Sequence, residues 1–227
     1  MLLGLLCLAP PAVAEESVAA GAAVFEREGC GECHRVQPPG SGFGFADRVA
    51  QKGPDLWYAG SKFQPGWLKA WLTKPDPVMG IRFDSLEPDT SLSPHPRIPP
   101  DQVPDLAAYL ESLVDAELPV GMVAASEPTS RMELLRGRIL FGKEQQCFAC
   151  HRTRTRYGVE VGGVTAPSLG DAGKRLNPDW VYGFLMDPKR YTPVTRMPIY
   201  RGDTYTDYQA QEMKLLARYI ATMGVKR

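Results

Sequence analysis

The chain has 227 residues, 44% of them hydrophobic and 23% charged, with 26 basic and 26 acidic side chains. That length and mixture suit one large globular domain or two small ones. The zero formal charge argues against a nucleic-acid partner, and past the N-terminus no apolar run is long enough to span a bilayer.

Residues 1–14 resemble a secretory signal peptide: Leu2 to Ala9 form an apolar core, and Ala12-Val13-Ala14 is a small-x-small cleavage site before Glu15, although no Lys or Arg precedes the apolar run. The expectation is an exported, periplasmic or otherwise extracytoplasmic protein. Cys7 lies inside this leader, so four cysteines remain beyond it. A first helix is predicted from about Val18 to Cys30 and runs into Cys30-Gly31-Glu32-Cys33-His34. This is C-x-x-C-H, the pattern of covalent c-type haem attachment. Two thiols add across the haem vinyl groups, and the following histidine places an imidazole beneath the iron as proximal ligand. A second helix is predicted over Pro65 to Thr73, stopping before Pro75. A third carries Leu106, Tyr109, Leu110 and Leu113 as one apolar stripe. Glu117 to Ser130, with Pro119, Gly121 and Pro128, reads as a linker.

The same plan then returns. A helix from about Arg131 leads into Cys147-Phe148-Ala149-Cys150-His151, and another spans Asn177 to Met186, with Asn177-Pro178 as N-cap and first helical residue and Pro188 as the stop. The last helix bears Leu216, Tyr219, Ile220 and Met223. Pro54 and Pro167, Trp67 and Trp180, and Pro75 and Pro188 are each 113 positions apart, the mark of an internal repeat. No segment shows strand alternation.

Each half resembles a class I cytochrome c domain. The resemblance is carried by C-x-x-C-H after a Gly/Phe helix, then Pro-x-Leu, Trp, Pro and a last helix with a central Tyr, and the two halves cover nearly all of the chain after the leader. It implies an all-α fold of two tandem helical domains, 15–118 and 131–227, joined by a linker at 119–130. Each domain would wrap around one covalently held haem c, attached through Cys30 and Cys33 or Cys147 and Cys150, with His34 and His151 as proximal iron ligands.

The resemblance also implies a second axial ligand from the loop before the last helix. In the second half that loop contains Met197-Pro198, which resembles the family's Met-Pro segment; the competing reading is that Met197 fills the core. The first half has no Met-Pro there. His95-Pro96 stands at roughly the same place, and His95 is the one histidine outside the two attachment motifs. His95 is the ligand expected; Met79 and an open iron with a solvent-exposed His95 are the alternatives. Methionine raises a haem's reduction potential relative to a second imidazole, so electrons would run from the first haem to the second.

The leading functional reading is an electron carrier serving redox protein partners or a membrane respiratory complex. The second is a dihaem redox enzyme, similar to peroxidases or thiosulfate dehydrogenases, with one open or labile haem; no cysteine is left over for the unusual ligand of the latter family. A haem-free zinc protein is the third, against which the repeated Gly/Phe, Trp and Pro framework argues. Charge is divided between the halves. Residues 15–118 hold 16 acidic against 9 basic residues, −7, and residues 119–227 hold 10 against 17, +7. Arg152, Arg154 and Arg156 form a basic cluster after the second motif, read either as a solvated loop or as a docking site for an acidic acceptor. Trp57, Trp67, Trp71 and Trp180 are expected to pack near the haems, and Arg196 to pair with a propionate or lie on the surface.

Overall fold

The computed structural model describes residues 12–76, 95–123, 130–155, 157–199 and 206–225, with the backbone alone for 12–14 and 206–209. Residues 1–11 of the expected leader, Met79, Arg156 and part of the expected linker lie outside the described residues.

The fold is helical. In the first half, α1 (Ala12–Arg27), α4 (Trp67–Thr73) and α5 (Val103–Ser112) are the main helices, with short turns α2 (Phe45–Ala50) and α3 (Ala59–Lys62) between them. Alanine, the best helix former, recurs through α1. The second half repeats this with α6 (Arg131–Ile139), α7 (Ala172–Arg175), α8 (Pro178–Met186), α9 (Pro188–Tyr191) and α10 (Thr206–Ile220). The start signals act as read. Ser130 and Glu133 exchange a capping box at α6, and Asn177 accepts from the Asp179 N–H at 3.1 Å with Pro178 as the first helical residue of α8.

In each half the first helix crosses the last at a glycine. A Cβ on Gly21 would stand 2.0 Å from the Asp105 carbonyl oxygen on α5, and one on Gly137 would stand 2.5 Å from the Tyr219 Cβ on α10. Only a residue without a side chain permits that approach. Beside each crossing an aromatic pair meets, Phe25 with Tyr109 at 5.6 Å and Phe141 with Tyr219 at 5.9 Å between centroids.

Two cores result. One gathers Val24, Phe25, Leu68, Leu72, Leu106 and Leu110; the other gathers Leu140, Phe141, Trp180, Leu185, Met213 and Leu216. The second core also takes in Tyr58, Leu118 and Val123, so the first half and the start of the expected linker help to build it. The backbone N–H groups of Gly121 and Val123 donate to Asp179 on α8 at 2.6 and 2.7 Å, which fastens that stretch to the second half.

The halves meet about an approximate twofold. Phe63 and Leu176 form an antiparallel bridge, the Gln64 N–H donates to the Arg175 carbonyl at 2.9 Å, and the Asn177 N–H donates to the Lys62 carbonyl at 2.8 Å. Residues 62, 63 and 64 thus meet 175, 176 and 177, their own counterparts at the repeat spacing, which is the self-complementary contact of a twofold interface.

Among the described residues, a short hairpin departs from the all-helical expectation. Thr153–Arg154 (β1) and Glu160–Val161 (β2) pair as an antiparallel hairpin after the second motif. Two-residue strands are too short to display the alternation by which strands are read from sequence.

Candidate functional site

Each C-x-x-C-H motif sits on one tight turn. The chain leaves α1 through Gly29, in the left-handed region at φ 66°, and leaves the helical stretch after α6 through Gln146 at φ 51°. A 3-10 turn follows in both cases, Cys30–Glu32 and Cys147–Ala149. The His34 N–H donates to the Cys30 carbonyl at 3.0 Å and the His151 N–H to the Cys147 carbonyl at 2.9 Å. The turn therefore closes each histidine onto the first cysteine of its motif.

A second strand of chain orients the imidazoles. The Gly53 N–H donates to the Cys33 carbonyl and the Leu56 N–H to the Arg35 carbonyl, at 3.1 and 2.8 Å; the equivalents are Ala166 to Cys150 and Leu169 to Arg152, at 3.1 and 2.7 Å. Between these contacts lie Pro54 and Pro167, whose carbonyls accept from the Nδ1 of His34 at 2.8 Å and of His151 at 2.7 Å. A carbonyl oxygen only accepts, so Nδ1 carries the hydrogen and Nε2 keeps its lone pair. Metal-bound histidines are oriented in this way. Burial lowers the pKa of both imidazoles and so favours the neutral form a ligand needs.

The structure brings His95 to His34. Their ring centroids lie 6.1 Å apart, tilted by 40°. His95 Nδ1 donates to the Pro96 carbonyl at 2.8 Å, and its ring meets Trp71 edge-on at 4.9 Å. Both rings thus keep Nε2 unspent. Two imidazoles this close would be able to ligate one haem iron. Met197 is half-buried and packs against the second core, the cluster that contains Cys147. Its backbone N–H donates to Thr195 Oγ1 at 3.0 Å.

Other groups also fit a haem. The indole N–H groups of Trp57 and Trp180 are buried without an acceptor among the described residues. Lys62 Nζ lies 5.5, 5.1 and 5.0 Å from the ring centroids of Tyr58, Phe63 and Trp180, and burial, helped by nearby Arg175, pushes its ammonium down to about 7. These donors would suit the acceptor-only carboxylates that a haem carries. Burial raises the Cys30 thiol and pushes Cys147 up to about 11.

The tryptophans do not share one role. Trp67 stacks on Phe63 and on Trp71, continuing toward His95, whereas Trp57 and Trp180 join Tyr58 and Tyr191 where the halves meet. Arg152 and Arg154 both pair with Glu160 at 3.1 Å, so the basic cluster carries its own counter-ion. Arg35, by contrast, grips the buried Asp55 with two nitrogens, at 2.7 and 2.8 Å. Asp115, Lys62 and Tyr191 were not singled out from the sequence. An aspartate just beyond an amphipathic helix reads as a surface residue, and nothing local marks it as buried.

No curated protein and no solved structure matches the chain significantly. Residues 18–114 match the family model of cytochrome c, and over that span the chain is similar to a helical c-type cytochrome, a haem-based electron-transfer protein holding haem c covalently.

Proposed function

We propose that the chain is a dihaem c-type cytochrome of two tandem cytochrome c domains that passes single electrons between redox partners outside the cytoplasm, free or as a subunit of a respiratory or oxidoreductase complex. The observation that carries the reading is the recurrence of one local device. The Nδ1–H to proline carbonyl bond, the 3-10 turn and the flanking backbone bonds at His34 appear again at His151. The family match covers the first copy; the second copy supports a second haem. The leader at residues 1–14 supports export. No helix among the described residues is long and apolar enough to cross a membrane, so membrane association would come through a partner or a retained leader.

In this reading Cys30 and Cys33, and Cys147 and Cys150, hold the two haems by thioether bonds. His34 and His151 are the proximal ligands, His95 the distal ligand of the first haem and Met197 that of the second. When bound, haem c supplies an iron that alternates between ferric and ferrous by exchanging one electron. The protein's own part is positional. Pro54 and Pro167 fix the imidazole tautomer, the half-buried rings of Trp67 and Trp71 back His95, and the two cores exclude water.

Pyridine haemochrome analysis should give two haems per chain. A potentiometric titration followed by electron paramagnetic resonance should show a bis-histidine signal at the lower potential and a histidine–methionine signal at the higher one. One haem per chain would sink the tandem reading. A high-spin ferric signal with carbon monoxide binding in the native protein would favour the dihaem enzyme instead.

A further inference from the structure

Asp115 lies just past α5, in the first half, and its side chain is only 3% exposed. Yet most of what it holds belongs to the second half. Its carboxylate accepts from Arg190 Nε at 3.2 Å and Nη2 at 2.5 Å, and from the Tyr191 phenol at 3.0 Å. On its own side it accepts from the Glu117 backbone N–H at 3.1 Å, while its backbone N–H donates to Ser61 Oγ on α3 at 2.8 Å. Burial alone would raise this carboxyl, but the bonds from Arg190, Glu117 and Tyr191 outweigh burial and hold it below the ordinary carboxylate range. Arg190 and Tyr191 close α9, six residues before Met197 in the case of Tyr191.

The Tyr191 ring is as enclosed as its hydroxyl. It is 1% exposed, stacks on Trp57 at 5.8 Å with planes 16° apart, and meets Tyr58 edge-on at 4.9 Å. Both partners come from the first half. The short segment from Tyr191 to Met197, stiffened by Pro193, therefore starts from a root seated on the other half of the molecule. At the repeat spacing of 113, the residues corresponding to Arg190 and Tyr191 are Pro77 and Val78, whose side chains have no hydrogen to donate.

We propose that Asp115 is a positioning residue for the distal ligand of the second haem. Through Asp115, Trp57 and Tyr58 the first half fixes the root of the segment that carries Met197, so methionine ligation in one half depends on the other. The inference rests on the reading of Met197 as axial ligand.

The test uses the full-length holoprotein and the variants Asp115→Ala, Asp115→Asn and Tyr191→Phe. Each is checked for two haems by pyridine haemochrome and titrated with free imidazole at pH 7, following the near-infrared charge-transfer band of methionine-ligated ferric haem. Asp115→Ala should let imidazole displace Met197 at about tenfold lower concentration, the factor of a lost charged hydrogen bond. Asp115→Asn should shift the titration less, Tyr191→Phe least, and the bis-histidine signal of the first haem should stay unchanged. Titrations of Asp115→Asn and Tyr191→Phe that superimpose on the wild type, even with a lowered Tm, would overturn the proposal and leave Asp115 a purely structural residue. A wild-type protein that holds two haems but lacks the methionine band would overturn the ligand reading beneath it.

Discussion

The two halves share a scaffold and differ in what hangs from it. Both cross their first and last helices at a glycine, enter the C-x-x-C-H turn through a left-handed residue, and hold the motif's imidazole on a proline carbonyl. Between motif and proline they part. The first half inserts α2 and pairs Arg35 with the buried Asp55, while the second makes the β1–β2 hairpin with its exposed Arg–Glu pairs. The difference teaches that the histidine of each motif is set by a rigid local device. The candidate second ligands depend on loops, and there one half brings His95 to His34 whereas the other places Met197 on a segment rooted in its neighbour.

If the proximal devices are equivalent, removing either should have the same large effect. His34→Ala and His151→Ala should each abolish the low-spin signal of one haem and leave the other intact, read by electron paramagnetic resonance on protein of known haem content. A variant that loses both signals would show that the halves are not independent at this level.

The distal difference can be erased. Met197→His should make the second site resemble the first and lower its midpoint potential on the order of 0.1 V, a fraction of the roughly 0.8 V over which axial ligands act. Two coincident waves in the titration would fit; an unchanged upper wave would remove Met197 from the iron.

The helix crossings should respond alike to a side chain. Gly21→Val and Gly137→Val drive a branched group into a contact already at backbone distance, and overpacking of this kind costs about 1–3 kcal/mol or more. Denaturant titration should show comparable losses in the two variants, and a loss in only one would break the equivalence.

Acid should find the link between the halves. Asp115 titrates below its ordinary value in the folded chain, so the unfolded chain binds that proton more readily. Its stabilising contribution is present above about pH 4 and is lost as the pH falls through the folded value. Asp115→Asn should therefore be less stable at neutral pH and show a flatter acid limb than the wild type in thermal melts. The smallest effect is expected at the hairpin, where Arg154→Ala removes an exposed ion pair of less than about 1 kcal/mol and should leave the Tm almost unmoved.

The sequence by itself determined the attachment motifs, the repeat, the order of the main helices and their caps. Those are local properties: Cys30 to His34 and Cys147 to His151 are fixed spacings, the stripes on α5 and α10 follow helical periodicity, and Asn177-Pro178 is a start signal readable in two residues. It also named His95 as a ligand candidate, because the resemblance implies an axial ligand from that loop and His95-Pro96 stands where Met-Pro would. Tertiary structure alone brought the His95 and His34 rings to 6.1 Å, folded residues 118–123 into the second core, paired residues 62–64 with their own counterparts, and buried Asp115 against Arg190 and Tyr191. Each of those contacts joins segments far apart in the chain. No periodicity marks such residues, and their burial is decided only when the two cores pack together.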